Sequence, residues 1–344
     1  MRWSIYVFAI AVFALSFFGL NAAAHAEATG TTGPANTSDL PPIPISKCIN
    51  IGGALEAPRE GEWGYSVRRK DLRRIAEAGF DTIRLPVAWS NHSSPRPPHK
   101  IYPRFQRRVD AVIRAALDEN LNVILDIHHF YQLMQAPDDN AAWLDALWRQ
   151  LSEHYEGWPD GLIFEFLNEP FGHMDKARVD AMNRRLLPIV RERHPDRWII
   201  MSGSGWGHLD GLLEADIPYD PRAIATFHFY EPFNFTHQGA TFIQQDLPVG
   251  VDWGSDEDRE QLTSMMTSAA EWRTRNGMPL LLGEFGPYAE IELEERAQWT
   301  RAVRREADRH DIPWCYWEWA TTFKVYDTFR ERWLISMRHA LLEQ

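Results

Sequence analysis

The scarcity of cysteine and of basic residues in the sequence excludes several large classes of protein. Only 2 of its 344 residues are cysteine, which is too few for a disulfide framework, and no Cys and His spacing is typical of a structural zinc site. Basic residues are in the minority, with 36 Lys and Arg against 48 Asp and Glu and a net charge of −12. A nucleic-acid surface needs clustered cations, so we expect no such partner.

Long hydrophobic runs are also scarce. One lies near the N terminus, at Ile5–Leu20, and its length of about 16 residues is short of the roughly 20 that span a bilayer. It follows Arg2 and precedes an A-x-A site that ends at Ala26, as in a secretory signal. We therefore expect residues 1–26 to be a cleaved signal peptide, with an uncleaved anchor as the alternative. The mature protein is then expected to be secreted or periplasmic, without membrane contact.

The rest of the chain divides into a short polar segment and one long alternating region. Residues 27–46 are rich in small residues and proline without a hydrophobic period, which predicts a flexible tether. From residue 47 to 344, short apolar runs alternate with amphipathic segments, and the runs are typical of parallel strands covered on both faces. The predicted strands are Cys48–Gly53, Thr82–Leu85, Asn122–His128, Leu162–Leu167, Trp198–Met201, Ala223–Tyr230, Pro279–Glu284 and Pro313–Trp319.

Eight strand–helix units in about 300 residues predict a single α/β domain, a (β/α)8 TIM barrel. The helical pattern is weakest in the fifth unit, at 209–215, and the last helix is predicted over Trp333–Leu342. The alternative is a doubly wound open sheet, which normally has a Gly-rich phosphate turn after its first strand. Here Gly53 is followed by Ala-Leu-Glu-Ala-Pro, which provides no such turn and no cofactor site.

Polar and aromatic residues lie at the ends of six predicted strands, where a barrel carries its chemistry. No strand ends in lysine, which disfavours Schiff-base enzymes. Glu169 follows strand four and Glu284 ends strand seven, so two carboxyl groups can flank one bond. Glycoside hydrolysis needs that pair: one group protonates the leaving oxygen while the other attacks or activates water. Further residues at these ends are Arg84, His128, His129, Asn168, His228, Tyr230 and Trp317.

Each motif also has a simpler explanation when it is taken alone. Asn168-Glu169-Pro170 is a common helix-entry turn. His128, His129 and His228 are candidate metal ligands, but adjacent strand residues face opposite ways and no HExxH pattern accompanies them. We therefore expect no metal. The joint placement of the motifs is what favours an enzyme.

Together, these motifs resemble glycoside hydrolase family 5, the large cellulase family of retaining β-glycanases. The resemblance extends over Ile49–Leu342 and covers the order and the strand placement of the motifs. Three further segments resemble an endoglucanase branch from thermophilic bacteria, some members of which also cleave mannan. The shared motifs are Thr82–Pro86, Ile127–His129, Leu167–Pro170, His228–Tyr230, Gly283–Gly286 and Tyr316–Trp319, and the branch segments are Leu55–Gly64, Phe235–Ala240 and Val325–Asp327.

The resemblance implies a retaining endo-β-1,4-glucanase with Glu169 as general acid/base and Glu284 as nucleophile. Retention implies carboxyl groups roughly 5–5.5 Å apart, against 6.5 Å or more for inversion. Arg84 and Tyr230 would hold Glu284, and a sugar 2-hydroxyl would be bound by Asn168. The implied supporting residues are Arg84, Asn168, His228 and Tyr230, and the implied substrate contacts are His128, His129, Trp317, Glu56, Trp206 and His237.

Two departures from the branch bear on substrate preference. Gly53 stands where the branch usually has Asn, and Phe242 stands where it usually has Trp. Both positions are expected to face outer sugars. A β-mannanase or a mixed-linkage glucanase therefore remains an alternative to the glucanase. A non-catalytic carbohydrate-binding protein is a more distant alternative, since it would be expected to lack a carboxylate, Arg84 or Asn168. Soluble chains are expected as substrate, because no segment outside the barrel suits a separate carbohydrate-binding module.

The state of the two cysteines and the role of the many tryptophans do not follow from the sequence. Cys48 and Cys315 fall on the first and last strands, where they can form a disulfide or remain two buried free thiols. Tryptophan is abundant, at 15 residues, and it offers flat apolar area that suits either a core or a sugar ring. Trp317 is the strongest candidate for a sugar contact. Weaker candidates on the cleft side are Trp206, Trp63, Trp89, Trp253 and Trp319, whereas Trp143, Trp148, Trp272, Trp299 and Trp333 are expected to pack in helices.

Overall fold

A computed structural model describes residues 40–343 with the exception of residue 244. The predicted signal peptide and the first part of the predicted tether lie outside these residues. Eight parallel strands form a closed barrel in the order β1 to β8, and β8 pairs back with β1. This closure confirms the predicted (β/α)8 barrel and excludes the open sheet. The strands are β1 Lys47–Asn50, β2 Thr82–Leu85, β3 Asn122–Asp126, β4 Leu162–Glu165, β5 Ile199–Ser202, β6 Ala223–Phe229, β7 Leu280–Phe285 and β8 Trp314–Tyr316.

The helices between the strands follow the amphipathic segments of the sequence. α8 begins with a capping box between Ser255 and Asp258 and ends at Gly277, whose φ of 58° is left-handed. The segment with the weakest pattern forms only the short α6. The helices are α1 Arg69–Glu77, α2 Pro103–Asp118, α3 Tyr131–Gln135, α4 Pro137–His154, α5 Lys176–Arg191, α6 Leu209–Glu214, α7 Phe233–Thr236, α8 Asp256–Asn276, α9 Leu293–Arg309 and α10 Ile335–Leu342.

The predicted last helix begins too early. Trp333 belongs to a short antiparallel pair formed by β9 (Tyr326–Asp327) and β10 (Arg332–Trp333), in which it lies opposite Tyr326. Its indole packs edge-on against Trp319 and Tyr326, at centroid distances of 5.1 and 5.8 Å. Trp333 is therefore a packing residue, but in a hairpin rather than in a helix.

The barrel interior is built in layers, because residues two apart on a strand face the same side. The lower layer is apolar and is closed at the N-terminal end by Ile45 and Trp198. Two positions further along β1, β3 and β4 come Asn50, Asp126 and Glu165, all fully or almost fully buried. The interior thus changes from apolar to charged towards the C-terminal ends of the strands. The apolar layer contains Cys48, Ile124, Ile163, Ile200, Ile224, Leu281 and Cys315.

The structure shows how the end of the predicted tether and the two cysteines are placed at the N-terminal end of the barrel. Ile45 is buried at 4% exposure, and the backbone of Ser46 donates to the Asp81 carboxylate at 3.1 Å. The end of the predicted tether, at Ile45 and Ser46, therefore packs on the barrel. Cys48 and Cys315 lie opposite each other on β1 and β8 and form a disulfide.

Across the described part of the chain, no helix has the length and apolar character needed to cross a bilayer.

Candidate active site

Arg84 is the centre of the charged layer. It lies on β2 and is fully buried. Its guanidinium forms a bidentate pair with Glu165 at 2.7 Å for both contacts, and it contacts Asp126 at 2.9 Å and Glu284 at 2.6 Å. It also donates to the amide oxygen of Asn50 at 2.9 Å. One cation thus holds three carboxyl groups from three different strands, which is the arrangement a buried charge requires.

Glu284 lies on β7 with its carboxyl group buried at 5% exposure. One oxygen accepts from Arg84 at 2.6 Å and the other from the Tyr230 hydroxyl at 2.9 Å. Burial raises the pKa of Glu284 to about 7, and His228 and Arg84 act in the opposite direction. Because both oxygens accept hydrogen bonds, Arg84 and Tyr230 stabilise the ionised form and oppose the effect of burial.

Glu169 differs from Glu284 in exposure and in partners. It follows β4, and its side chain is 25% exposed. Its Oε1 lies 2.7 Å from Nδ1 of His228, and no direct contact with a cation accompanies it among the described residues. Burial raises the pKa of Glu169 to about 7 as well, against a lowering effect of His208. A carboxyl group with this pKa can both give and take a proton near neutral pH.

The two carboxyl groups lie close together. One oxygen of Glu169, one oxygen of Glu284 and one ring nitrogen of His228 are all within 4.8 Å of one another. This spacing fits the short separation of retaining glycosidases rather than the 6.5 Å or more that inversion needs for a water molecule. Three groups of this kind are also a set that can ligate a metal ion. Here Glu284 is held by Arg84 and Tyr230, and Glu169 is held by His228, which describes an acid–nucleophile pair.

Asn168 and His128 are oriented by the same network. Arg84 donates to the Asn168 amide oxygen at 2.6 Å, which turns the amide nitrogen towards Nε2 of His128 at 3.5 Å. Nδ1 of His128 lies 2.8 Å from the Asp126 carboxylate, so Nδ1 carries the proton and Nε2 is an acceptor. Burial lowers the pKa of His128 well below its usual range, so the ring is neutral.

Aromatic rings surround this polar centre. The Trp317 indole is parallel to the His128 ring at a centroid distance of 5.5 Å. Trp63 is 46% exposed and meets His129 edge-on at 6.0 Å. On the side of Glu169, the Trp206 ring stacks on Phe171 at 3.7 Å. Flat apolar surfaces therefore lie beside His128 and His129 and beside Phe171, which follows Glu169 closely in the chain.

A cavity lies beside β6. Its volume is ≈ 200 Å³, and it lies between α6 and α8 next to His228 and Tyr230. Its other polar lining residues include Asp210, Glu231 and Gln261. Hydrogen-bonding groups thus surround a space next to His228 and Tyr230, the residues that contact Glu169 and Glu284.

Two of the predicted substrate contacts are nearly buried and have partners within the protein. Glu56 is buried at 2% exposure and accepts from the backbone of Gly53 and, at 3.0 Å, of Ala54, so it holds its own loop rather than facing an open cleft. His237 is 7% exposed and packs edge-on behind Tyr230 at 5.0 Å.

The prediction of a cleft-side position is wrong for two of the tryptophans. Trp89 and Trp319 are both fully buried. The Trp89 indole donates to the Asp126 carbonyl at 3.1 Å, and Trp319 stacks on Tyr326 at 4.4 Å. Trp253 is only partly buried, and it packs against Phe235 at 6.5 Å.

Three members of the network were not singled out from the sequence. Asn50, Asp126 and Glu165 all contact Arg84. The available signal was the presence of single charges inside otherwise apolar strand runs at Asp126 and Glu165. A charge in a buried strand needs a partner, and Arg84 is the matching cation.

Known proteins with the same arrangement identify the family. The model of the family described as Cellulase (glycosyl hydrolase family 5) matches residues 51–322. The chain belongs to glycosyl hydrolase family 5. This membership confirms the family suggested by the sequence motifs.

Individual relatives agree with the family match. Endoglucanase H of Acetivibrio thermocellus is 30% identical over 269 residues, which are 78% of this chain and 29% of that protein. The chain spans about a third of the length of the first curated relatives it matches. Among solved structures, Cel5A of Thermotoga maritima in complex with mannotriose is 37% identical with a TM-score of 0.85, and covers 87% of this chain and 97% of its own. The same enzyme in complex with cellobiose is 38% identical, with the same TM-score of 0.85 and the same coverage of 87% and 97%.

Proposed function

We propose that this family 5 protein is a retaining endo-β-1,4-glucanase that cleaves soluble β-glucans. The observation that carries the proposal is the carboxyl pair of Glu169 and Glu284, with oxygens within 4.8 Å and with different partners. Arg84 and Tyr230 favour the ionised form of Glu284, while Glu169 is open to the cleft. The relatives named endoglucanase support the same activity.

In the first step, a carboxylate oxygen of Glu284 attacks the anomeric carbon of the sugar. The bond from that carbon to the bridging oxygen breaks, and the leaving oxygen takes the proton of Glu169. A glycosyl ester on Glu284 and an ionised Glu169 result. The positive charge that develops on the sugar faces the buried carboxylates around Arg84, which require no reorganisation during the step.

In the second step, Glu169 acts as a base. It takes a proton from a water molecule whose oxygen attacks the anomeric carbon, and the ester bond to Glu284 breaks. Two inversions at one carbon give net retention. His228 contacts Glu169 at 2.7 Å and is held neutral by burial, which lowers its pKa, so it can orient Glu169 without competing for its role.

The substrate class is proposed from the rings and polar groups around the pair. Trp317 and Trp206 offer flat surfaces that suit the C–H faces of sugar rings. Asn168 has its amide oxygen fixed by Arg84, which leaves the amide nitrogen to donate to a sugar hydroxyl. β-Mannan is a second candidate, because the similar Cel5A of Thermotoga maritima was solved with mannotriose as well as with cellobiose.

We also propose that the protein is exported. The N-terminal sequence up to Ala26 supports a signal peptide. The disulfide between Cys48 and Cys315 supports an oxidising compartment, since such bonds are rare in the cytosol. Mass determination of the protein recovered from culture medium or periplasm tests both cleavage and location: an intact N terminus in the cytosolic fraction would contradict export.

The activity is tested by initial rates of reducing-end release from carboxymethyl cellulose, barley β-glucan and glucomannan. We expect hydrolysis of the glucans by the wild-type protein and loss of turnover in E284Q. E153Q, which changes an exposed glutamate of α4, is the matched control and should keep the wild-type rate. The proposal fails if the wild-type protein releases no reducing ends, or if E284Q hydrolyses as fast as E153Q.

A further inference from the structure

Two glycines that follow β1 lie against the turn that follows β8. A Cβ atom on Gly52 would meet the Trp317 indole at 3.0 Å. A Cβ atom on Gly53 would lie 2.4 Å from Cγ2 and 2.6 Å from Oγ1 of Thr321. Both of these last distances are shorter than real Cβ contacts. A side chain at position 53 and the side chain of Thr321 therefore compete for one space.

Thr321 cannot leave this space by a simple rotation. Both branches of its side chain face Gly53, so turning about χ1 exchanges one for the other, and threonine has few alternative rotamers. Its hydroxyl donates to the Glu318 carboxylate at 2.6 Å, and its backbone N–H donates to the same oxygen at 2.8 Å. Glu318 is fully buried and also accepts from the backbone of Phe323 at 3.1 Å. We call residues 318–323 the β8 turn; Glu318 fixes its shape.

The backbone at position 53 disfavours most side chains but not asparagine to the same degree. Gly53 has a φ of +74°, in the left-handed region. Asparagine adopts that region more readily than other residues with a Cβ atom. Thr321 is therefore the structural reason why an amide cannot be accommodated there. Thr321 itself is partly exposed and covers the buried Gly53.

We propose that Thr321 is a specificity-determining residue, which closes the cleft wall beside Trp317 in place of a side chain at position 53. A sugar on this wall meets a methyl group and a hydroxyl whose proton is already donated to Glu318. An amide at position 53 would instead offer two donors and an acceptor. A sugar beside Trp317 therefore forms fewer hydrogen bonds with this chain, and binds more weakly, than it would with an amide at position 53. The inference rests on the proposed function, because it concerns the preference of the same cleft.

A double-mutant cycle tests this competition. The proteins are the wild type, G53N, T321G and G53N/T321G, assayed for kcat/KM on cellotriose and cellopentaose. We expect G53N alone to lose about tenfold or more in kcat/KM, because it displaces the β8 turn and with it Trp317. In G53N/T321G the loss is relieved, and the preference for cellopentaose over cellotriose rises by about three- to tenfold, the value of one hydrogen bond.

Two further variants distinguish the volume of the side chain at position 321 from its hydrogen bond, and both from backbone strain at a glycine with positive φ. G53N/T321V keeps a branched side chain at position 321 but lacks the hydroxyl. Its kcat/KM should therefore stay as low as that of G53N. G157N is the matched control, because Gly157 has a φ of +76° with nothing within 4 Å of an added Cβ atom. It should keep the wild-type kcat/KM and length preference.

The outcomes that overturn the inference differ from those that overturn the proposed function. If G53N retains kcat/KM within twofold of the wild type, or if the two substitutions are additive, Thr321 does not close the wall. An equal rescue by T321V and T321G also contradicts it. If the wild-type protein hydrolyses no β-glycan, the proposed function fails and the claim about preference fails with it. Melting temperatures of the same cycle then still report whether the two side chains compete for space.

Discussion

Substitution of Tyr230 tests whether its hydrogen bond stabilises the ionised form of the nucleophile Glu284. Its hydroxyl donates to Glu284 at 2.9 Å, and both groups are buried. A hydrogen bond to a charged group contributes about 1.5–3 kcal/mol, and each pKa unit corresponds to about 1.4 kcal/mol. Removal of the hydroxyl in Y230F should therefore raise the pKa of Glu284 by about one to two units above its value of about 7.

The effect is read from the pH dependence of kcat/KM on a soluble β-glucan between about pH 4 and 10. The nucleophile must be deprotonated, so a higher pKa moves the acid limb of the profile to higher pH. Since Glu169 must keep its proton, the bell also becomes narrower and its maximum falls. Y65F is the matched control, because Tyr65 donates to the Asp71 carboxylate at 3.0 Å outside the site. An acid limb in Y230F that stays in place or moves to lower pH would refute the role of Tyr230.

Four other perturbations have defined outcomes. E165Q breaks the bidentate pair with Arg84 and should lower the free energy of unfolding by about 3–5 kcal/mol, measured by urea titration. C48A/C315A removes a disulfide that closes a long loop and should cost about 2–5 kcal/mol in the same assay, with kcat nearly unchanged. W317A should lower kcat/KM on cello-oligosaccharides by about 30-fold or more, as expected for a central aromatic contact. F242W enlarges a ring that is 45% exposed and should lower KM for long glucans by up to about tenfold. A loss under 1 kcal/mol in either stability test, or unchanged kinetics in W317A or F242W, would contradict the respective assignment.

The barrel could be predicted because its signals are local and repeated. Each strand is a continuous apolar run, and each helix has its own amphipathic period, so closure into eight units follows from their number. The rule that parallel strands of a barrel carry chemistry at their C-terminal ends predicts one shared face for Arg84, Glu169, His228, Tyr230 and Glu284. In the structure these five residues form a single cluster of charges and hydrogen bonds.

The remaining details depend on tertiary packing that no local pattern contains. Trp89 and Trp319 lie near strand ends in sequence, yet their neighbours bury them completely. Glu56 belongs to a motif of the branch, but its carboxylate turns back to cap its own loop. The competition between Gly53 and Thr321 joins residues far apart in the chain, so it becomes visible only when β1 meets β8.

The most direct test of double displacement by Glu284 is to trap the glycosyl-enzyme. Incubation with a 2-deoxy-2-fluoro-cellobioside that carries a dinitrophenyl leaving group slows the second step more than the first. Peptide mapping by mass spectrometry should then find one added fluorocellobiosyl group, on the peptide that contains Glu284, and none in E284Q. A protein that releases dinitrophenol without any adduct, or that carries the adduct on another residue, would contradict the account.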